Sequence, residues 1–353
     1  MRLLYTVLAA ISISAGTATS FALTRPDVSP AAPIATCTAR DESYGVEWHS
    51  SDESETAELT RWCRAVGAPV IASGNRSDTT PALDELVVLS WNAHLSEGDL
   101  DELIAKLRSG ALTSGKPVNH FVLLVQELYR RGDEVPAFGA NDRSAFAIRS
   151  RERDAADIDD HAAALGLSIF YVPSMRNGPQ LREDRGNAII STEPLLDPFA
   201  LELPLARQRR VALGAGVLVD TGAGPRRLEV IDAHLEPLSS PASLWIFKNP
   251  RGRQVKAILN LLERPRFTDP SLTAGVVLGG DFNTVKDGAR EDAYRLARAW
   301  SSGMAHEDTR NTHMMGRLDY LFARLPDGWK ASTRRLDERF GSDHYPVIAT
   351  LSR

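Results

Sequence analysis

The sequence is poor in cysteine, has no excess of basic residues, and contains no long hydrophobic run beyond its N-terminal segment. Cys37 and Cys63 are its two cysteines, and two thiolates alone do not make a metal site. The formal net charge of −5 provides no general positive field for nucleic acid, which argues against a module that binds DNA non-specifically. An enzyme that contacts only a few phosphates is compatible with this charge.

The N-terminal segment has the composition of a secretory signal. Met1-Arg2 is a short basic start, residues 3–22 are mainly apolar, and Ser20-Phe21-Ala22 places small residues where a signal peptidase reads them. We therefore expect a signal peptide over residues 1–22 and an exported protein, either periplasmic or secreted. The alternative is an uncleaved N-terminal membrane anchor, because the next charge is Arg25, although serine and threonine would make it a weak span.

Residues 23–80 predict an N-terminal extension in front of the main domain. A helix is indicated by apolar residues at i, i+3, i+4 and i+7, namely Leu59, Trp62, Cys63 and Val66. Cys63 lies on the apolar face, and in an exported chain we expect a Cys37–Cys63 disulfide. A loop of this size would stabilise the fold by roughly 3–4 kcal/mol in the chain-entropy model. A packed structural brace is favoured over a lid or a partner site.

The rest of the chain, residues 81–353, predicts one large domain without internal repeats. Apolar runs typical of buried strands alternate with segments in which apolar residues repeat at helical spacing. This order is typical of a layered α/β protein. The predicted strands include Leu86–Trp91, Phe121–Val125, Leu167–Val172, Gly186–Ser191, Val211–Val219, Arg227–Asp232, Val276–Leu278, Leu318–Phe322 and Tyr345–Leu351, and the predicted helices are Asp99–Leu107, Asp154–Leu165, Arg253–Leu262 and Glu291–Trp300.

One predicted strand is followed directly by polar residues of the kind found in active sites. Val276–Leu278 is apolar, Gly279-Gly280 ends the run, and Asp281 and Asn283 follow directly. A carboxylate there can accept a proton or help to hold a cation, and a carboxamide can donate a hydrogen bond to an oxyanion. The structural alternative is an Asx turn after a strand.

Polar residues also follow the other predicted strands. A carboxylate inside an apolar strand is costly unless it is paired, so Asp319 needs a partner, and His344 is available. An Asp–His pair fixes an imidazole tautomer and raises its basicity. The polar residues at or near strand ends are Asn92, Glu127, His234, Asp281 with Asn283, Asp319, and Asp343 with His344.

In order along the chain, these motifs resemble those of the endonuclease/exonuclease/phosphatase superfamily, the group of DNase I, AP endonucleases, inositol-polyphosphate 5-phosphatases and neutral sphingomyelinases. The resemblance is closest to an exported bacterial-type member and covers about residues 86–351. It implies an α/β four-layer sandwich of two packed β-sheets flanked by helices. The matching pieces are Ser90-Trp91-Asn92, Val125-Gln126-Glu127, Gly186-Asn187-Ala188-Ile189-Ile190-Ser191, Asp232-Ala233-His234-Leu235, Gly280-Asp281-Phe282-Asn283, Leu318-Asp319-Tyr320-Leu321-Phe322 and Ser342-Asp343-His344-Tyr345-Pro346-Val347.

The resemblance also implies roles and a cofactor. The cofactor would be Mg²⁺, with Mn²⁺ or Ca²⁺ as alternatives, bound chiefly by Glu127 with help from Asn92. Asp281, Asn283 and Asp343 would orient the water, the phosphate or a second ion. His344, held by Asp319, would be the general base or would contact the phosphate. His234 would stabilise charge on the phosphoryl oxygens or protonate the leaving group.

The resemblance therefore predicts an exported, metal-dependent phosphodiesterase that cleaves nucleic acid by attack of water. Alternatives are hydrolysis of a phospholipid headgroup, as in sphingomyelinases, or of an inositol phosphate. The Asp-Ala-His-Leu context of His234 disfavours the AP-endonuclease branch, which usually carries Asn there. A non-catalytic binding protein on this fold is the alternative from another class. Nothing indicates a stable protein partner, and we expect a monomer. Arginines that could contact phosphate are Arg185, Arg207, Arg209, Arg210, Arg251 and Arg253.

Overall fold

The computed structural model describes residues 46–50, 55–74, 82–137, 158, 165–176, 182–237, 249–285, 290–302 and 304–353. The predicted signal peptide, Cys37 and most of the predicted helix Asp154–Leu165 lie outside these residues. Within them, no helix is long and apolar enough to cross a membrane.

Fourteen strands and five helices make up the described chain. The strands are β1 (Glu47–Ser50), β2 (Val70–Ala72), β3 (Glu85–Asn92), β4 (Phe121–Arg131), β5 (Ser168–Arg176), β6 (Glu183–Ser191), β7 (Leu196–Glu202), β8 (Val211–Asp220), β9 (Pro225–His234), β10 (Thr273–Asp281), β11 (Met304–His306), β12 (Asp319–Arg324), β13 (Lys330–Arg335) and β14 (Val347–Ser352). The helices are α1 (Thr56–Cys63), α2 (Leu100–Arg108), α3 (Pro250–Leu262), α4 (Pro265–Thr268) and α5 (Asp292–Trp300).

Two mixed sheets pack face to face. The six-stranded sheet has the order β1-β7-β8-β9-β10-β12, and the eight-stranded sheet has the order β11-β13-β14-β3-β4-β6-β5-β2. Apolar side chains from both sheets, such as Val88 and Leu124 from one and Leu213 and Val277 from the other, form the core between them. Burial of these strands on both faces explains why they appear in the sequence as continuous apolar runs.

Helices cover the two outer faces. The Asp99 side chain caps α2 by accepting a hydrogen bond from the Glu102 backbone N–H at 2.8 Å. Leu103 and Leu107 of α2 pack on the eight-stranded sheet. α3 and α5 pack on the six-stranded sheet, for example through Ile258. The predicted α/β four-layer sandwich of two packed β-sheets flanked by helices is confirmed.

The segment before residue 80 contributes to both sheets. β1 pairs in parallel with β7, and β2 pairs antiparallel with β5, so each sheet gains an edge strand. Cys63 at the end of α1 is fully buried. Its predicted partner, Cys37, lies outside the described residues, so the disulfide stays a prediction, as does the domain boundary near residue 80.

A buried ion pair joins the two sheets. Arg209 and Glu202 are both fully buried, and the Arg209 Nε donates to a Glu202 carboxylate oxygen at 3.0 Å. The same guanidinium donates to the backbone carbonyls of Pro173 and Ser174 on the other sheet, at 2.9 and 3.2 Å. Arg209 is therefore a structural crosslink between the sheets and is not a phosphate contact.

Replacing Arg209 should reveal its structural role. Arg209→Met would leave Glu202 buried without its guanidinium, so we expect the free energy of unfolding to fall by about 3–5 kcal/mol. Urea denaturation followed by circular dichroism measures this. The double variant Arg209→Met/Glu202→Leu should recover most of the loss, because no charge is then left buried. A single variant as stable as the wild type would contradict the assignment.

Candidate active site

Strand pairing in the six-stranded sheet sets three polar residues side by side. Asp281, the last residue of β10, lies opposite His234 of β9 and opposite Asp319 of β12. The sequence motifs behind these residues are far apart in the chain, but the register of three adjacent strands makes them neighbours. This edge of the sheet forms one wall of the candidate site.

Gly280 permits this close arrangement. Its φ is +137°, and a Cβ placed on it would lie 1.8 Å from the backbone oxygen of Ala233. Only glycine fits both the backbone angle and the contact. Gly280 therefore lets β10 and β9 stay paired up to Asp281 and His234.

The eight-stranded sheet provides the opposite wall. Asn92 ends β3, and Glu127 lies in β4 where the pairing with β6 shifts between Val125 and Leu128. This bulge holds Glu127 at a φ of +56°, which is unusual for a residue with a side chain. Its carbonyl accepts a hydrogen bond from the Ser96 N–H at 3.1 Å, within a turn that is itself left-handed over residues 94–96. Backbone strain is thus concentrated beside Glu127, as is common at functional sites.

A side-chain hydrogen bond between Asn92 and Asp281 joins the two walls. The Asn92 Nδ2 donates to Asp281 Oδ2 at 3.0 Å, and both side chains are buried. Burial, together with the nearby Asp319 carboxylate, raises the pKa of Asp281 to about 6. Asp281 therefore takes up a proton far more readily than an exposed aspartate does.

The turn before β14 brings His344 to this point. The Ser342 hydroxyl donates to the Asn92 carbonyl at 2.7 Å and accepts the His344 backbone N–H at 3.0 Å. The His344 Nδ1 lies 2.8 Å from Asp319 Oδ2, so the contact expected for this pair is present. Burial alone would lower the pKa of His344, but the Asp319 carboxylate, with Asp281 nearby, raises it to about 10.

His234 has the opposite electrostatic setting. Burial, reinforced by the positive charges of Arg210 and Arg185, holds the pKa of His234 well below its usual value. Its Nε2 lies 3.5 Å from Asp281 Oδ2 and 3.9 Å from Glu127 Oε1. The site therefore contains one imidazole that favours the charged form and one that stays neutral.

Asp343 lies at the open side of the site. Its side chain is 41% exposed, and its Oδ1 is 3.9 Å from His344 Nε2. Two histidines that the sequence analysis missed contact it: His94 Nδ1 at 3.1 Å and His313 Nε2 at 3.3 Å. Together with His344, these side chains hold the pKa of Asp343 at about 2, against the opposing effect of its partial burial. His94 follows Asn92 by two residues, so a search for polar residues just beyond the predicted strand ends could have found it. His313 does not follow a predicted strand, and that search would have missed it.

Asn283 is placed differently from the other predicted residues. Its backbone N–H donates to Asp281 Oδ1 at 2.8 Å, and its Nδ2 donates to the Leu235 carbonyl at 3.0 Å. Both contacts shape the turn after β10, so the Asx turn considered as an alternative is present. One N–H of the Asn283 amide remains for another acceptor.

The candidate phosphate-binding arginines separate into two groups. Arg251 pairs with Glu291, and Arg253 donates to the Leu205 carbonyl, so both are held by contacts outside the set of predicted site residues. Arg185 lies beside Glu127, with a nitrogen 3.7 Å from Oε2. Arg210 is buried, and its charge lowers the pKa of His234. Arg185 and Arg210 therefore border the site.

The family that the sequence motifs resemble implies a divalent cation, and the donor chemistry of the site fits one. Oxygen donors of Glu127, Asn92, Asp281 and Asp343 border the same space, and hard cations prefer such ligands. The Glu127 carboxylate makes no hydrogen bond to any described residue and has only long contacts to Arg185 and His234. Metal-binding atoms of Asp281, Asp319 and His344 lie within 4.8 Å of one another, but Asp319 and His344 already bind each other. Glu127 and Asn92 are therefore better candidates for metal ligands than the group of Asp281, Asp319 and His344.

The charge on His344 should make the metal-free protein sensitive to high pH. Its pKa rises from 6.5 to about 10 on folding, so its contribution is complete below the unfolded value and is lost as the pH rises through the folded one. In EDTA, we expect the stability difference between wild type and His344→Gln to shrink between neutral and alkaline pH. Urea unfolding at a series of pH values measures this. A difference that grows with pH would reverse the assignment.

A scan against known protein families matches residues 89–344 to the Endonuclease/Exonuclease/phosphatase family. Members of this family are hydrolases of phosphate esters, which is the class of enzyme that the fold and the candidate site suggest. The match covers well over half of the sequence, and the chain belongs to this family.

Several solved structures are similar to this chain. An endonuclease/exonuclease/phosphatase from Beutenbergia cavernae DSM 12333 superposes with a TM-score of 0.53 at 18% identity, covering 76% of this chain and 72% of that one. The human Nocturnin catalytic domain with bound sulfate anion has a TM-score of 0.47 at 16% identity, covering 77% of this chain and 96% of that one. A protein described as an endonuclease/exonuclease/phosphatase from Bacteroides vulgatus has a TM-score of 0.46 at 13% identity, covering 76% and 98%. The first of these shows the fold and nothing beyond it. A search of curated proteins found no significant match.

Proposed function

We propose that this protein is an exported, divalent-metal-dependent phosphodiesterase that cleaves P–O bonds in nucleic acid. One observation carries the proposal. Asn92 from one sheet and Asp281 from the other are hydrogen bonded at 3.0 Å, with His234 and His344 on either side of that contact. Carboxylates, an amide and two imidazoles directed at one point suit a reaction in which negative charge accumulates on a phosphoryl group.

The bound cation, held by Glu127 and Asn92, would supply Lewis-acid stabilisation of the phosphoryl oxygens. Side chains of the protein accept and donate the protons in the reaction. Asp281, whose pKa of about 6 lies near neutrality, accepts a proton from the attacking water. His344 is charged at neutral pH because its pKa is raised to about 10, so it acts as a general acid rather than as the general base expected from the sequence: its Nε2 proton passes to the leaving oxygen as the P–O bond breaks. Neutral His234 donates a further hydrogen bond to the phosphoryl group. Arg185 and Arg210 provide positive charge beside it.

A specific observation favours phospholipid as the second candidate substrate. Met314 is 86% exposed and Met315 is 53% exposed, in the turn that directly follows His313 at the rim of the site. Exposed apolar side chains beside an active site favour a substrate presented at a lipid surface. Hydrolysis of an inositol phosphate would need no such side chains.

A panel of substrates tests the proposal. The mature protein would be incubated side by side with plasmid DNA, with sphingomyelin in micelles and with an inositol polyphosphate, each with Mg²⁺, with Mn²⁺, with Ca²⁺ and with EDTA. We expect DNA to be cleaved in the presence of metal and not in EDTA. Cleavage of sphingomyelin alone would move the assignment to the second candidate. Loss of all activity together with undetectable metal binding would favour a non-catalytic binding protein.

Export is part of the same proposal. We expect the mature protein to begin after Ala22 and to be recovered outside the cytoplasm. N-terminal sequencing of the protein recovered from each cell fraction tests this. An intact N-terminus in the membrane fraction would support the anchor alternative instead.

A further inference from the structure

The turn from Thr312 to Gly316 carries a histidine that the proposed mechanism does not use. The backbone N–H groups of Thr312 and His313 both donate to the Gly316 carbonyl, at 3.2 and 3.0 Å, so the turn is closed. The Thr312 carbonyl accepts the Tyr345 N–H at 2.7 Å. The Thr312 hydroxyl oxygen accepts the Asp319 N–H at 3.1 Å. The turn is thus hydrogen bonded to Asp319 and to Tyr345, the residue after His344.

A backbone contact fixes the tautomer of His313. Its Nδ1 accepts the Met315 N–H at 3.1 Å. A backbone N–H can only donate, so Nδ1 must present its lone pair and carries no proton. In a neutral imidazole the remaining proton is then on Nε2.

The proton on Nε2 is directed at Asp343. Nε2 lies 3.3 Å from Asp343 Oδ2, within hydrogen-bonding distance. The Asp343 side chain is 41% exposed, and without this donor it could rotate between solvent and the site. With Oδ2 held by His313, Oδ1 is the oxygen that faces His94 Nδ1 at 3.1 Å and His344 Nε2 at 3.9 Å.

The hydrogen bond from the Met315 N–H to Nδ1 also argues against His313 as a metal ligand. Metal-binding atoms of His313, Asp343 and His344 lie within 4.8 Å of one another, which by distance alone suggests a second metal site. A metal-bound imidazole nitrogen has no proton, and its other ring nitrogen normally donates a hydrogen bond. In His313 the other nitrogen accepts one, which is the reverse arrangement. The ring also packs against His344, with centroids 4.7 Å apart.

We propose that His313 is a positioning residue, locked by the Met315 N–H as the Nε2–H tautomer, that orients the Asp343 carboxylate toward the reacting phosphate ester. The consequence of this orientation for catalysis rests on the proposed phosphodiesterase function. The tautomer of His313 and its hydrogen bond to Asp343 do not depend on that function.

The tautomer can be observed directly. In the mature protein labelled with ¹⁵N-histidine, His313 should show an unprotonated Nδ1 and a protonated Nε2, with its signals assigned by their absence in His313→Gln. Addition of Mg²⁺ should leave this pattern unchanged. An Nδ1–H tautomer, or signals of Nε2 bound to a metal, would overturn the proposal whether or not the protein hydrolyses any substrate.

Two substitutions separate hydrogen bonding from ring packing. His313→Gln keeps an N–H donor near the position of Nε2, whereas His313→Phe keeps an aromatic ring against His344 and removes the donor. We expect the phenylalanine variant to lose about 10–100-fold in kcat/KM, as is typical when a residue behind an active carboxylate is removed. The glutamine variant should recover most of that loss. Affinity for Mn²⁺, measured by electron paramagnetic resonance, should follow the same order if Asp343 touches the cation.

The control is His306→Gln, because His306 is exposed and is not part of the site. It should match the wild type in kcat/KM and in melting temperature. Equal losses in the phenylalanine and glutamine variants, or full activity in the phenylalanine variant, would overturn the positioning role. A wild-type protein inactive on every substrate would refute the proposed function and leave the tautomer measurement as the test of His313.

Discussion

His344→Ala is expected to lower kcat/KM on the substrate identified above by about 10³-fold, the middle of the range for removing a group that transfers protons. The structure gives two reasons. His344 is charged at neutral pH because Asp319 lies 2.8 Å from its Nδ1, so the substitution removes a full positive charge from the phosphate site. It also removes the proton that the leaving oxygen would receive. Initial rates with saturating Mg²⁺ provide the measurement.

The partner variant Asp319→Asn tests whether the two residues act as a unit. It keeps the size of the side chain but removes the charge that holds the imidazole in its protonated form. We expect a smaller loss than for His344→Ala, and a double variant no slower than His344→Ala alone, because residues that act together lose their function only once. Binding of Mg²⁺ by His344→Ala should persist. Multiplicative losses in the double variant would show that Asp319 and His344 act separately.

Glu127→Gln should abolish most divalent-metal binding and, with it, hydrolysis at limiting metal. The Glu127 carboxylate is 19% exposed, lies on the same wall of the site as Asn92, in the adjacent strand, and makes no hydrogen bond to any described residue. Removing one negative charge from a hard-cation site should weaken Mg²⁺ or Mn²⁺ binding by at least about 10²-fold, since even changes behind the ligands cost 10–100-fold. Isothermal titration calorimetry on the metal-free protein measures the affinity directly.

Glu338→Gln is the matched control for this experiment. Glu338 is an exposed glutamate that pairs with Lys106 on the surface, so its loss should change neither metal affinity nor activity. High concentrations of Mn²⁺ should partly restore activity to Glu127→Gln, because the remaining oxygen donors are intact. Unchanged affinity in Glu127→Gln would move the cation toward Asp281 and Asp343.

The sequence was most informative where chemistry and strand geometry coincide. The strands that end at Asn92, His234 and Asp281 could be recognised without a structure. His234 and Asp281 meet because their strands are adjacent in one sheet, and Asn92 reaches Asp281 because the two sheets are packed together. The contact between Asp319 and His344 could be expected because a carboxylate in a buried strand needs a partner. The catalytic and metal-binding roles given to these residues remain predictions.

Other features depend on contacts that no local pattern encodes. Arg209 and Arg210 are adjacent, yet one crosslinks the sheets and the other borders the site, because successive side chains near a strand point to opposite faces. The bulge at Glu127 exists only in the pairing of β4 with β6. His313 reaches Asp343 through a turn closed by Gly316, and nothing in its own neighbourhood indicates that contact.

The position of β14 has a consequence for when activity can appear during synthesis. β14 lies between β13 and β3 in the eight-stranded sheet, although it follows β13 in sequence and β3 precedes both. The nascent chain cannot join β13 to the rest of that sheet, or bring His344 beside Asp319, until residues 347–352 have left the ribosome. A partly made chain therefore has the Glu127 and Asn92 side chains of the candidate site but lacks the charged imidazole beside Asp319. The candidate site therefore stays incomplete until translation of this strand is complete.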